Sequence, residues 1–173
     1  LVQIAEISLA LKTYEDIFSS FDPRQYSERS LSVDFLAEAE RASRDKEVGR
    51  IELELLLPAK QRKIHDEKKI KRRLIDHFKK HFILLKKERN GIKCMGFLFT
   101  LAGILIMFSA SYLLFKTHES TLFSSFLVIL LEPAGWFLFW EGLDLVIFEI
   151  KKKKQDYKFY EKMTACKVEF KSY

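Results

Sequence analysis

The sequence contains few of the residues on which small secreted folds and catalytic loops depend. Its 173 residues include 2 cysteines, 3 prolines and 6 glycines. Two cysteines cannot build a disulfide framework, and the sequence has no glycine-rich phosphate loop, serine nucleophile elbow or paired-cysteine motif. We therefore predict a protein that is not an enzyme, with no catalytic residue, no cofactor and no metal.

Two long parts of the chain lack a net positive charge. Residues 1–58 carry a net charge of −5 and residues 94–149 a net charge of −4, whereas residues 59–93 and 150–173 carry +10 and +5. The overall charge of +6 therefore comes from two basic blocks on either side of an apolar region. A basic helix beside such a region is more often a determinant of membrane topology than a nucleic-acid surface, so we expect no nucleic-acid partner.

Two long stretches have little or no charge. Residues 94–115 contain no charged residue, and a helix of 22 residues is long enough to span a hydrocarbon core of about 30 Å. A second apolar stretch, residues 121–150, follows a short polar segment. The alternative, two buried helices of a soluble core, rarely has uncharged runs of this length. We predict an α+β membrane protein with a two-helix transmembrane hairpin, whose spans cover about residues 94–115 and 123–149.

Basic residues flank both spans, and the connecting segment has one lysine. The positive-inside rule places such flanks in the cytoplasm, so we expect a multi-pass membrane protein with both termini cytoplasmic. The same side chains are suited to contact anionic lipid head groups. They are Lys86, Lys87, Arg89 and Lys93 before the first span, and Lys151, Lys152, Lys153 and Lys154 after the second.

Small residues recur every seven positions on both predicted spans. Seven residues are two helical turns, so each set forms one seam along which two backbones can approach closely. Facing residues in an antiparallel hairpin have a constant sum of residue numbers, and one sum, 238, fits three pairs. The predicted pairs are Gly103 with Gly135, Gly96 with Gly142, and Ala110 with Val128.

Three carboxylates of the second stretch are candidate ion or proton sites. The predicted register places Glu132 near the middle of the bilayer and both Glu141 and Asp144 near its cytoplasmic edge. A carboxylate at mid-depth is costly and marks a function or a polar partner. Glu141 and Asp144 are three residues apart on one helical face, where they can hold a cation or face water.

The remaining segments predict a small cytosolic α/β domain. Alternation of apolar and polar residues predicts strands over 1–9, 51–57 and 166–170, and we expect the last two to lie in one sheet because their polar faces are complementary in charge. A serine, Ser30 or Ser32, caps a predicted helix that reaches Arg44. The domains are 1–58 (α/β region), 59–93 (basic helix), 94–150 (hairpin) and 151–173 (basic tail with a terminal strand).

Four segments together resemble an uncharacterised family of bacterial two-span membrane proteins. The resemblance implies two spans in the bacterial inner membrane, and it carries no active site. The family pattern has Trp-Arg-Pro where this chain has Trp140-Glu141-Gly142, so it assigns no role to Glu141. The four segments are IFSSFDPRQYSERSLSVDFLAEAERA from Ile17, IELELLLP from Ile51, FWEGLDLVIFE from Phe139 and KVEFKSY from Lys167.

These patterns favour a homo-oligomeric, non-enzymatic membrane module that conducts ions or protons at Glu132. Two helices cannot enclose a pore, so conduction requires several copies of the chain. The alternative is a membrane-anchored adaptor or signalling protein that recruits a partner through its cytosolic domain. The size of the purified particle distinguishes the two, since a monomer is incompatible with a channel.

Overall fold

The computed structural model describes residues 5–44, 51–116 and 121–173. Over these ranges the protein is α+β, with one three-stranded sheet and two helices that are long and apolar enough to cross a membrane. The main elements are β1 (Ala5–Ala10), α1 (Val33–Arg44), β2 (Ile51–Leu57), α2 (Ile64–Lys116), α3 (Leu122–Asp144), a π-helix (Leu145–Glu149), α4 (Ile150–Lys152), α5 (Lys154–Thr164) and β3 (Lys167–Ser172).

Contacts divide the chain into two compact units. The first, here called the sheet unit, consists of Leu1–Leu84 and Asp156–Tyr173. The second, the helical unit, consists of Leu85–Gln155. Helix α2 is continuous across this boundary and contributes its first turns to the sheet unit and the rest to the helical unit.

The sheet is entirely parallel, in the order β1-β2-β3. Glu52 pairs with Lys167, and Leu57 pairs with Ser172 at the other end of the ladder. The prediction that the strand around residues 51–57 shares a sheet with the C-terminal strand is therefore confirmed. Of the first predicted strand, residues 1–4 lie outside the described residues, and β1 extends to Ala10.

One face of the sheet forms the hydrophobic core. The register aligns Ile7, Leu53 and Val168 in one row and places Leu9, Leu55 and Phe170 in the next. Right-handed crossovers between successive parallel strands bring the intervening helices to the same face. The helical residues of this core are Phe35 and Ala39 from α1, Ile70, Leu74 and Phe78 from α2, and Phe159 and Met163 from α5.

The opposite face of the sheet is polar. Glu6, Glu52 and Lys167 form one row, and Ser8, Glu54 and Glu169 form the next. Glu54 is only 5% exposed on this face because Ser8 donates a hydrogen bond to it and Lys171 forms an ion pair with it. The charge complementarity that predicted the pairing of β2 with β3 is thus realised by Lys171 and Glu54, one row apart.

Helix α1 agrees with one of its two predicted starts and with its predicted end, whereas the basic helix begins later than predicted. Helix α1 begins after Ser32, whose carbonyl accepts the first helical bond from Leu36. The basic helix was expected from Ala59, but α2 begins at Ile64. A short turn, Ala59–Gln61, precedes it, and Arg62 is extended because its guanidinium reaches Glu67 and Ser172.

Helix α5 occupies the middle of the basic tail. Phe159 and Met163 enter the core, and two tyrosines of the same helix pack against α2. The ring of Tyr157 lies 5.3 Å from that of Phe82, and Tyr160 stacks on His81 at 5.3 Å. These contacts attach the C-terminal part of the chain to α2 within the sheet unit.

Candidate functional site

The two apolar helices meet along the glycine seam. A Cβ added to Gly103 would lie 2.6 Å from the backbone nitrogen of Phe139 and 2.7 Å from the carbonyl oxygen of Gly135. A Cβ on Gly96 would lie 2.8 Å from the carbonyl oxygen of Gly142. Both predicted glycine pairs are therefore in backbone contact, which a larger residue would prevent.

The rest of the seam is also built from small or compact residues. Ala110 and Val128, the third predicted pair, are 3% and 8% exposed. Thr100 lies against Gly142, and its hydroxyl donates a hydrogen bond to the carbonyl of Gly96 in its own helix. A seam closed at this distance leaves no channel between the two helices of one chain.

Two serines in the apolar part of α2 form hydrogen bonds within their own helix. Ser109 donates to the carbonyl of Leu105 at 2.8 Å, and Ser111 donates to the carbonyl of Met107 at 3.0 Å. In an apolar solvent each polar group needs such an internal partner.

Glu132 lies on the outer surface of the helical unit. Its side chain is exposed, as is Pro133 beside it, and α3 continues without interruption through both residues. Within the described part of the chain, Glu132 forms no hydrogen bond and no ion pair. Ten residues of helix separate it from Leu122, so it lies about 15 Å from the start of α3, which is half the thickness of a hydrocarbon core.

An aromatic pair shares this outer surface. Trp136 and Trp140 stack in parallel with their rings 5.6 Å apart, and both are more than half exposed. On a helix they lie about 40° and 80° around the axis from Glu132. The carboxylate and the two indoles therefore form one outward-facing strip.

The other two candidate carboxylates line a shallow groove on α3 and the π-helix. Glu141 is half-buried and Asp144 exposed, and the groove has a volume of about 290 Å³. A π-helix adds a residue to the turn and is frequent at functional sites, and this one was not predicted from the sequence. Aromatic and aliphatic side chains complete the lining: Phe137, Trp140, Leu143, Ile147 and Phe148.

The basic flanks of the two helices lie next to each other. Lys153 forms a 2.6 Å ion pair with Glu88, which links the segment after α4 to α2. Lys152 pairs with Glu149. Most of the other predicted head-group ligands are exposed: Lys86, Lys87, Lys93, Lys151 and Lys154. Arg89 is half-buried.

Two histidines of α2 are packed in the sheet unit. The rings of His77 and His81 are 4.2 Å apart, and Tyr160 covers His81. Burial, together with the neighbouring charges of His81, Arg73 and Lys80, lowers the pKa of His77 to about 4. The pair forms part of the helix packing, and no third ligand lies beside it among the described residues.

Three carboxylates converge on the polar face of the sheet. The oxygen atoms of Glu6, Glu52 and Glu54 lie within 4.8 Å of one another. Lysines already compensate this charge, because Lys171 pairs with Glu54 and Lys167 lies 3.8 Å from Glu52. The cluster is accounted for as a surface ion-pair network.

Sequence reasoning missed a polar cleft in the sheet unit. It has a volume of about 410 Å³ and is lined by side chains of the loop before α1 and of the first turns of α2. The only signal in the sequence was the turn at Asp22-Pro23, which gave no indication of what the loop would face. The lining residues are Glu15, Arg24, Gln25, Tyr26, Arg29, Asp66 and Lys69.

Comparison of the chain with protein-family models, with curated proteins and with solved structures finds no match.

Proposed function

We propose that the protein is a membrane module in which α2 and the helix from Leu122 to Lys152 form a transmembrane hairpin that assembles into homo-oligomers. The surface around Glu132 is the contact between copies. The Glu132 carboxylates of the several copies meet at this contact and carry cations or protons across the bilayer. Exposure of Glu132 at mid-helix, without a partner in the described part of its own chain, is the observation on which this proposal rests.

The sheet supports an even number of membrane crossings. β2 precedes the two apolar helices and β3 follows them, yet the two strands are hydrogen-bonded neighbours. Strands of one sheet must lie in one compartment. The chain between β2 and β3 can therefore cross the membrane twice, but it cannot cross it once. By the positive-inside rule, the basic flanks favour the cytoplasm for that compartment, and the family resemblance favours the bacterial inner membrane.

The closed seam supports assembly. Because glycine contacts fill the space between the two helices, a single chain has no room for a path. An ionised carboxylate facing lipid at mid-depth is costly, and a contact with other copies removes it from lipid. Rings of acidic side chains are a common basis of cation selectivity.

The test is Glu132→Gln in reconstituted vesicles, with cation and proton flux measured beside the size of the purified particle. We expect an oligomer that conducts, and a variant that keeps the oligomer and loses most of the flux. Glu149→Gln is the matched control, since it removes the same charge near the basic flank, where Glu149 pairs with Lys152. A monomeric wild-type protein would contradict assembly, and an oligomer without flux would contradict conduction.

Orientation is tested separately by labelling introduced cysteines in a Cys94→Ser background. A cysteine at Ser120 should react with an impermeant reagent from outside, and one at Lys153 should not. The reverse pattern would place the sheet unit outside the cytoplasm.

A second candidate function is that of an anchored adaptor. The polar face of the sheet favours it, because parallel sheets usually have both faces covered, whereas Glu6, Ser8 and Lys167 are exposed here. A photo-crosslinker at Ser8 should then capture one discrete protein in cells. The same group at Phe21, which is 95% exposed and away from the sheet, is the control.

A further inference from the structure

The polar cleft of the sheet unit lies where ligand sites of parallel sheets are found. The loop that carries Arg24, Tyr26 and Arg29 follows the carboxyl end of β1, and α2, which carries Lys69, follows the carboxyl end of β2. In open α/β sheets, ligands bind outside the carboxyl ends of the strands, at the point where the strand order reverses. The order β1-β2-β3 has no such reversal, so the cleft shares with those sites only its position after the carboxyl ends of two strands.

The aromatic wall of the cleft is fixed by packing. Tyr26 stacks on Phe18 with ring centroids 5.2 Å apart, and its hydroxyl donates a 2.9 Å hydrogen bond to Glu15. Tyr26 also meets Tyr14 edge to face. Tyr14 is buried in the core, so the wall is continuous with the interior of the unit.

Arg29 is held in place by groups that leave some of its donors unused. Its Nη2 and Nε donate to the carbonyl of Ser19 at 3.0 and 3.2 Å, and its Nη1 pairs with Glu15. The guanidinium also lies over the ring of Phe18. An arginine has five N–H donors, and two of those of Arg29 have no hydrogen-bond partner within the described part of the chain, on a side chain that is held in place and 13% exposed.

Arg24 is anchored in the same way. Its Nη2 pairs with Asp22 at 2.7 Å, and its Nε donates to the same carboxylate at 2.9 Å. Asp22 is itself held by the backbone N–H of Ser30 at 2.8 Å. Nη1 of Arg24 makes no hydrogen bond within the described part of the chain, and the side chain is 55% exposed.

Lys69 supplies the third positive charge. It lines the cleft from α2, is exposed, and has no ion-pair partner among residues 5–44, 51–116 and 121–173. Of the two carboxylates in the lining, Glu15 is engaged by Arg29 and Tyr26, and Asp66 can accept a hydroxyl of a ligand. An anion in the cleft would meet the ammonium group of Lys69 and the unused N–H groups of two guanidinium groups, each of which is already paired with a carboxylate of its own chain, Asp22 or Glu15.

We propose that this cleft binds a phosphate monoester, borne either by a small soluble molecule or by a lipid head group. A phosphate monoester carries close to two negative charges and three acceptor oxygens at neutral pH, and arginine forks match such oxygens in geometry. The shared chemistry is the monoester. Phosphate diesters, with one charge and two free oxygens, bind more weakly.

The experiment is isothermal titration of the full chain in detergent with three probes. Glycerol 3-phosphate is the soluble monoester, dihexanoyl phosphatidic acid is the lipid monoester, and dihexanoyl phosphatidylglycerol is the diester control. We expect a monoester to bind at least about tenfold more tightly than the diester, as one lost charge-assisted contact predicts. Equal affinity for the two monoesters indicates a soluble ligand, and a preference for phosphatidic acid indicates a lipid.

Two neighbouring lysines provide the matched variants. Lys69→Gln removes a cleft charge and should weaken monoester binding about tenfold, whereas Lys68→Gln removes an exposed charge outside the cleft lining and should leave affinity unchanged within twofold. Arg24→Gln should act as Lys69→Gln does, with unaltered resistance to proteolysis as the check of folding. Absence of binding, equal binding of the diester, or equal effects of the two lysine variants would overturn the proposal.

Discussion

The two units of the molecule use residue size in opposite ways. The sheet unit buries its large side chains, and Leu55, Ile70 and Phe78 are fully buried in its core. The helical unit buries its smallest residues, glycine and alanine, along the seam and turns its large side chains outward. Phe108 and Ile129, for example, are 72% and 70% exposed.

This difference follows from what holds each unit together. In the sheet unit, removing apolar area from water favours folding, so the largest apolar residues belong inside. In lipid that driving force is absent, and helices associate through close packing, which small residues allow. The contrast is what we expect if lipid or further copies of the chain cover the outer surface of the helical unit.

The largest effect should come from enlarging a seam glycine. Gly103→Leu places side-chain atoms where the backbone of Phe139 and Gly135 now lies, and backbone cannot move aside as a flexible side chain can. We expect α2 and α3 to separate, which spin labels at the exposed Leu105 and Ile129 would report as a longer distance.

The control for this substitution lies on the same helix. A Cβ added to Gly91 would meet no atom within 4 Å, so Gly91→Leu should leave the measured distance unchanged. If both variants change the distance alike, helix propensity rather than seam contact would explain the result.

A smaller effect is expected from truncating a large side chain in each unit. Phe78→Ala leaves a cavity in a closed core and should cost the sheet unit about 3–5 kcal/mol. Phe108→Ala removes an exposed ring and should leave the unfolding of the sheet unit unaltered. Pulse proteolysis in urea measures both, and equal losses would contradict the contrast between the units.

The smallest of the three effects is a dependence on pH confined to the sheet unit. Burial lowers the pKa of His77 to about 4 in the folded protein. In the unfolded chain the same side chain has a pKa near 6.5, so the unfolded state binds more protons than the folded state between these two pH values. The contribution of His77 to the free energy of unfolding is therefore fully present above pH 6.5. It decreases as the pH falls toward 4, by on the order of 3 kcal/mol.

His77→Phe isolates this contribution. The variant lacks the titrating ring but keeps an aromatic group beside Tyr160, so it should lose less stability than the wild type between pH 7.5 and 4.5. The lowered pKa values of Glu54 and Glu67 act in both proteins and cancel in the difference. Identical pH profiles would show that His77 does not control acid sensitivity.

The sequence predicted most of the fold because its patterns are physical constraints that act locally. Alternation in residues 51–57 specified β2, and the seven-residue spacing of Gly96 and Gly103 specified the seam and its register. The shared sheet of β2 and β3 was predicted from the complementary charges of their polar faces. The parallel direction of the strands follows from tertiary structure and was not predicted.

The functional features were harder to predict because they depend on distant residues. The polar cleft joins Arg24 and Arg29 to Lys69, and no spacing in the sequence relates these positions. The π-helix at Leu145–Glu149 has no distinct pattern, since its residues are as apolar as those of the α-helix before it.

The place of β3 in the chain sets an order of events during synthesis. The ribosome completes α2 and α3 before it makes β3, so until then the nascent sheet has only β1 and β2. One edge of β2 stays unpaired during this time, and an open strand edge invites wrong pairing. Closure of that edge by Lys167–Ser172 therefore occurs only in a chain whose two long helices have both been made. For the membrane hairpin proposed above, this means that a chain that failed to insert one helix would keep the edge open and remain a target for chaperones and proteases.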